Sequence, residues 1–227
     1  MLCFIQMIMR NQFKNLIYLF VFIGFSSARA GSYEDFFLAL EADNPIVIDQ
    51  LLERGFDPNT PNPNGVPALM AALKVPAPNV AALLVRHPDL KVEVRNAQDE
   101  SPLMLAALRG YAELCALLIE RDADVNKSGW APLHYAATAS HIAVMQLLLD
   151  QHAYIDAASP NGSTPLMMAA MYGNASAVKL LLEAGADPTI KNDLGLTAID
   201  FAERVKKTDS TTIIAAFIRA RRPKGAW

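Results

Sequence analysis

The sequence predicts an all-α solenoid of about six helix-turn-helix units with short β-turn fingers, preceded by a signal peptide. Two recurrences predict the solenoid. The first is a Pro-Leu-x-x-Ala-Ala segment, found at Ser101-Pro102-Leu103-Met104-Leu105-Ala106-Ala107, Ala131-Pro132-Leu133-His134-Tyr135-Ala136-Ala137 and Thr164-Pro165-Leu166-Met167-Met168-Ala169-Ala170. Altered copies stand at Val66-Pro67-Ala68-Leu69-Met70-Ala71-Ala72 and Thr197-Ala198-Ile199-Asp200-Phe201-Ala202. The positions equivalent to its proline are 67, 102, 132, 165 and 198, in steps of 35, 30, 33 and 33. The second recurrence is a Leu-Leu pair followed by a Gly-Ala-Asp-like turn. It is cleanest at Leu181-Leu182-Glu183-Ala184-Gly185-Ala186-Asp187 and is repeated at Leu117-Leu118 with Asp122-Ala123-Asp124, and at Leu51-Leu52 with Gly55-Phe56-Asp57. Composition agrees: 52% apolar but 8% aromatic suits small, closely packed helices better than a β-sandwich.

Residues 1–30 read as a targeting segment. Leu16 to Phe25 form an apolar run of about ten residues, the length of a signal-peptide core and short of the roughly 20 needed to span a bilayer. Arg10 and Lys14 precede it, and Ala28 and Ala30 supply the small-x-small pattern for cleavage after Ala30. The rival reading is an uncleaved anchor. Met9 makes a more ordinary start than Met1. The whole chain has a formal charge of −3; without Arg10, Lys14 and Arg29 it holds 17 basic and 23 acidic residues, a net of −6. That balance offers no dense basic face for nucleic acid.

Each unit then follows from local chemistry. Ser or Thr before the proline supplies an N-cap oxygen. Proline at the first helical position loses no hydrogen bond. The Ala-Ala pair lets a neighbouring helix approach closely. Val178 to Leu182 give the second helix its apolar face, and Gly185 ends it where φ > 0 is wanted. No hairpin buries its apolar face alone, so stacking builds one elongated core. The first unit opens with Tyr33-Glu34-Asp35-Phe36-Phe37. The last helix, Thr211 to Arg219, runs into Arg221, Arg222 and Lys224, which suit the negative end of its dipole; a membrane-touching basic tail is the sharper alternative.

These paired signatures at this period resemble the ankyrin-repeat family, whose motif is T-P-L-H-x-A. The resemblance covers about residues 33–219. It implies a domain over 31–222 with units at about 33–63, 64–96, 97–126, 127–157, 158–190 and 191–219, and a tail over 223–227. The 30-residue step predicts a β-turn finger about three residues shorter than its neighbours at Asn126-Lys127-Ser128-Gly129. The 35-residue step is long around Pro76-Ala77-Pro78 and His87-Pro88-Asp89-Leu90, prolines that replace the usual Gly between the two helices.

No catalytic signature emerges, and neither a cofactor nor a metal is expected. His134 occupies the family motif, where its implied role is a hydrogen bond within the turn. His141 takes the Gly-His connection, His152 a helix end and His87 a loop; no pair has zinc-site spacing. Cys115 lies in an apolar run and reads as a core thiol; with Cys3 it makes no disulfide framework. Asn126, Asn161 and Asn174 head Asn-x-Ser sequons that are best explained by chance.

The resemblance implies a non-enzymatic module that binds a protein through its concave face, where the fingers meet the first helices. The variable positions there are Glu100, Trp130, Ser163 and Leu196, and the pairs Leu73-Lys74, Leu108-Arg109, Thr138-Ala139 and Met171-Tyr172. The candidate contacts are Trp130, Arg109, Met171, Tyr172, Glu100 and Lys74, led by Trp130 as an exposed finger residue that buries nothing in the stack. Its alternative is to fold onto its own hairpin. Tyr111 reads as packing between helices. The chain is expected to be a monomer exported to the periplasm, with secretion second and a membrane anchor third. The short signal peptide and lack of disulfides suit a bacterial source. Alternative functions are a secreted effector acting on host proteins, or an immunity or inhibitor protein masking a partner enzyme.

Overall fold

The computed structural model describes residues 31–221, so the expected signal peptide and the tail at 223–227 lie outside the described residues. Twelve helices form six antiparallel pairs: α1 (31–41) with α2 (Pro45–Glu53), α3 (Ala68–Lys74) with α4 (Pro78–Arg86), α5 (Pro102–Arg109) with α6 (Ala112–Glu120), α7 (Pro132–Ala139) with α8 (Ile142–Asp150), α9 (Pro165–Met171) with α10 (Ala175–Ala184), and α11 (Ala198–Arg204) with α12 (Thr208–Arg221). First helices pack in one row, α3 to α11, and second helices in another, α2 to α12. One continuous apolar core runs between the rows, from Phe36 to Ile214. No helix among the described residues is long and apolar enough to cross a membrane.

The caps form as the sequence requires, with exceptions. Ser101 Oγ accepts the Met104 N–H at 3.2 Å, and Thr164 Oγ1 the Met167 N–H at 3.4 Å. Pro102, Pro132 and Pro165 occupy the first turn. Pro67 instead sits at the N-cap with extended backbone (φ −55°, ψ 146°), so α3 begins one residue later. Ala131 has no side-chain acceptor; its own N–H donates to His134 Nδ1 at 3.1 Å. Ala72, Ala106, Ala107, Ala136, Ala137, Ala169, Ala170 and Ala202 are fully buried, and here the first helices meet.

The short finger is real. The α6–α7 connection, Arg121 to Ala131, has 11 residues, against 15 for His87 to Ser101 and 14 for Gln151 to Thr164. The four longer fingers share one turn, in which the N–H of Asn62, Asn96, Ser159 or Asn192 donates to the carbonyl four residues on. Asn62, Asn96 and Asn192 also accept, through Oδ1, the N–H groups two and four residues later, while Ser159 Oγ accepts the Ser163 N–H. The three-residue deletion removes this turn from the α6–α7 finger. The long 35-residue step has two sources: the 15-residue connection and the three-residue turn between α3 and α4, Val75 to Ala77, against two residues between α7 and α8. Pro76 lies between the two helices of one unit and Pro78 opens the second of them, but Pro88 follows the second helix, correcting its placement between them.

Hydrogen bonds about one period apart tie the units together. Arg121 donates to the carbonyls of Val85, in the last turn of α4 of the preceding unit, and of His87, Pro88 and Leu90 just beyond it. Arg109 Nη2 donates to Lys74 O at 2.7 Å, Lys207 Nζ to Gly173 O, and Arg221 Nη1 to Ala186 O at 3.0 Å. In each case a cation meets the carbonyl-rich end of an earlier helix. Asn59 and Asn126 bridge to the next unit with both amide atoms: Asn126 accepts from Tyr154 N (2.7 Å) and donates to His152 O (2.9 Å).

Gly110 combines two constraints. It is left-handed (φ +75°), and a Cβ there would collide with the His141 imidazole, whose Nε2 meets Leu108 O at 3.0 Å. Gly65 has the same φ and open space around it. Gly65→Ala is expected to cost about 1 kcal/mol and Gly110→Ala about 1 kcal/mol more, because His141 must leave Leu108. Urea unfolding of the two variants checks this; equal losses refute the His141 contact as the cause.

Candidate functional site

The face that the family resemblance makes concave is built from the last turns of the first helices and the fingers beside them. Equivalent positions form a row with one residue per unit: Glu41, Lys74, Arg109, Ala139, Tyr172 and Val205. Beside it lie Leu108, Thr138 and Met171. Tyr172 is 58% exposed and Leu108 37% exposed; Met171 is half-buried against the core. Lys74 and Arg109 are exposed. The sequence places these four candidates, Lys74, Arg109, Met171 and Tyr172, on one face, and the fold brings them there.

The other two candidates are engaged with the stack. Trp130 is half-buried, packs on the core and meets His134 edge-on with ring centroids 5.3 Å apart. The expectation that its ring buries nothing is therefore corrected. With the finger turn deleted, the indole folds down over the helix start. Glu100 is likewise held, its Oε1 accepting from Tyr135 OH at 3.0 Å and its Oε2 from Asn96 Nδ2 at 2.6 Å. Burial and this carboxylate together raise the Tyr135 phenol above its ordinary pKa. Arg109 keeps its exposure but spends Nη2 on Lys74 O.

Sequence reasoning missed Lys127. Its side chain is only 9% exposed, pairs with the Asp99 carboxylate of the preceding finger and donates to Ser128 O. The ammonium beside it holds Asp99 below the usual carboxylate range. The signal was present in the deletion itself, since a finger too short for its own turn must lean on a neighbour.

His134 serves the stack more broadly than a bond within its own turn. Its ring is 1% exposed. Nδ1 accepts the Ala131 N–H, which leaves the proton on Nε2 to donate to Ser163 O of the next unit at 3.0 Å. Burial lowers its pKa from the ordinary value, against the opposing pull of those backbone bonds.

Burial pushes the Cys115 thiol up to about 12, so it stays protonated at neutral pH. Among the described residues no group of three His, Cys, Asp or Glu side chains is placed to hold a metal ion. A groove of about 650 Å³ lies on the opposite, second-helix side, between Pro78, Leu83, Tyr111 and Leu117. Tyr111 lines it, half-buried between the helices.

Residues 36–128, 79–159, 125–192 and 151–214 each match the family model described as ankyrin repeats in three copies. The chain is 35% identical over 139 residues to mouse ankyrin repeat and SAM domain-containing protein 6, covering 57% of this chain and 16% of that one. It is 30% identical over 162 residues to the mouse B-cell lymphoma 3 protein homolog, covering 68% and 36%. It is 29% identical over 179 residues to the chicken nuclear factor NF-kappa-B p105 subunit, covering 76% and 18%. The match thus spans from about a sixth to just over a third of these three relatives' own lengths.

The His134 site carries a pH signature. Its folded pKa lies below the unfolded value of about 6.5, so the unfolded chain binds the extra proton first. Its contribution is complete above about pH 6.5 and is lost as pH falls toward the folded pKa, at up to about 1.4 kcal/mol per pH unit. His134→Met copies the residue at the same position in two neighbouring units, Met104 and Met167. This variant should show a flatter fall in unfolding free energy between about pH 7 and pH 5. An unchanged slope would assign the acid sensitivity elsewhere.

Proposed function

The chain belongs to the ankyrin-repeat family, and from that premise we propose that it is a non-enzymatic module that binds a protein partner through its concave face. Ankyrin repeats are typically non-catalytic protein–protein interaction domains. The observation that carries the reading is the exposed Tyr172, set beside Met171 and one row from Leu108. An aromatic side chain 58% open to solvent contributes little to the stack and has the amphipathic character of an interface anchor.

Trp130 joins this patch as its supported edge, with Arg109 and Lys74 on one side and Tyr172 on the other. Its place over His134 changes what its removal tests. Trp130→Ala is expected to weaken binding and also to cost about 1–3 kcal/mol of stability, because half the indole is core contact. Tyr172→Ala is the cleaner probe. It should reduce affinity for the natural partner about tenfold or more and leave the melting temperature unchanged. Calorimetric titration against a partner captured from the source cell, with Ile46→Ala on the α2 helix as control, checks this. Equal loss with the α2 control and none with Tyr172→Ala would move the site off the concave face.

The second part of the proposal is export as a monomer, periplasmic first and secreted second. It is supported by the sequence of residues 10–30 alone: a basic start, an apolar core and Ala28-x-Ala30. Mass spectrometry of the chain recovered from its source is expected to find Gly31 at the N-terminus, in the extracytoplasmic fraction. A cytoplasmic chain that keeps residues 9–30 refutes export by cleavage.

A further inference from the structure

Charge is segregated across the stack. Residues 31–221 hold 15 basic and 23 acidic side chains. In the four central units the second helices and the turns after them carry most of this excess, with ten carboxylates against five cations; Glu113, Glu120, Asp122, Asp150 and Glu183 are all exposed. The opposite side differs. From Asn62 to Asn174, the fingers, first helices and turns of those units contain only two acids, Asp99 and Glu100. Both are already engaged: Asp99 with Lys127, and Glu100 with Tyr135 and Asn96.

The other cations of that face are not so engaged. Lys74 and Arg109 make no ion pair among the described residues. Arg109 Nη2 holds Lys74 O at 2.7 Å, which fixes the guanidinium on the adjacent unit in the same row as the Lys74 side chain. Two like charges are thus kept as neighbours beside Leu108, with Met171 and Tyr172 two units further along the same face. Acids return only at the ends, as Glu34, Asp35, Glu41 and Asp43 in the first unit and Asp193, Asp200 and Glu203 in the last, where Arg204 stands beside Glu203.

We propose that the central concave face takes an acidic segment of a partner protein, whose carboxylates meet Lys74 and Arg109 and whose adjoining apolar side chains lie on Leu108, Met171 and Tyr172. This rests on the concave-face reading and supplies the partner's chemistry. It runs against the net charge, which on its own favours a basic partner. Local charge decides the contact, because interactions between exposed groups are screened beyond about 10 Å. The distant acidic back then helps orientation, repelling an acidic segment from every side but this one.

The test uses the full chain and labelled random copolymers of Glu with Tyr and of Lys with Tyr, followed by fluorescence anisotropy. The Glu–Tyr copolymer is expected to bind, to weaken several-fold between about 50 and 300 mM salt, and to lose about tenfold or more in the double variant Lys74→Glu/Arg109→Glu. Lys74→Glu alone, which removes no hydrogen bond of the fold, should show part of that loss and guards against unfolding of the double variant. Lys179→Glu on α10 should have no effect. No binding, tighter binding of the Lys–Tyr copolymer, or binding indifferent to the Lys74 and Arg109 reversals overturns the proposal. If Tyr172→Ala weakens the natural partner while the reversals do not, the concave face stands and its acidic ligand falls.

Discussion

Everything in this molecule depends on how closely one first helix can approach the next. The paired alanines at 106–107, 136–137 and 169–170 are fully buried, and their small side chains keep the first helices close. With that spacing set, the second helices fall into register and their leucines close the core from the other side. The hydrogen bonds from Arg109, Arg121, Lys207 and Arg221 reach carbonyls about one period earlier because the spacing repeats. Each unit is therefore stabilised mainly by its neighbours, as in any quasi-one-dimensional stack.

The fold was legible because its constraint is local and repeated. Ser101-Pro102, Thr164-Pro165, the alanine pairs and Gly185 state cap, spacing and stop within a few residues of sequence. Even the shortened finger could be counted directly from the steps between prolines. The site was less legible, for a reason of range. Arg109 meets Lys74, and Tyr135 meets Glu100, each 35 residues away. Periodicity says that such positions are adjacent without saying which atoms touch. Trp130 shows the same limit: its position is that of an exposed finger residue, but the missing turn beside it lets the ring settle over His134.

His134 and its counterparts show how one position is satisfied by different chemistry. In the α5 and α9 units a serine or threonine oxygen caps the helix, and the sulfur of Met104 or Met167 lies 3.3–3.4 Å from the N-cap N–H. Where Ala131 stands in the cap, the imidazole takes over the N-cap N–H and adds a bond to Ser163 O of the next unit. The buried proton on Nε2 couples two units and places a pH-sensitive group in the middle of the stack.

The missing fingertip has a wider consequence. Three residues are gone from the α6–α7 connection, yet α7 packs on both α5 and α9 and α8 touches both α6 and α10, as in an unbroken array. Because no contact of the helix rows passes through a finger, an insertion or deletion there shifts nothing downstream. The scaffold and the binding surface can therefore diverge independently: fingers can be lengthened, trimmed or recharged one unit at a time. A chain of this architecture can acquire a new partner by changing a handful of residues without repacking its core.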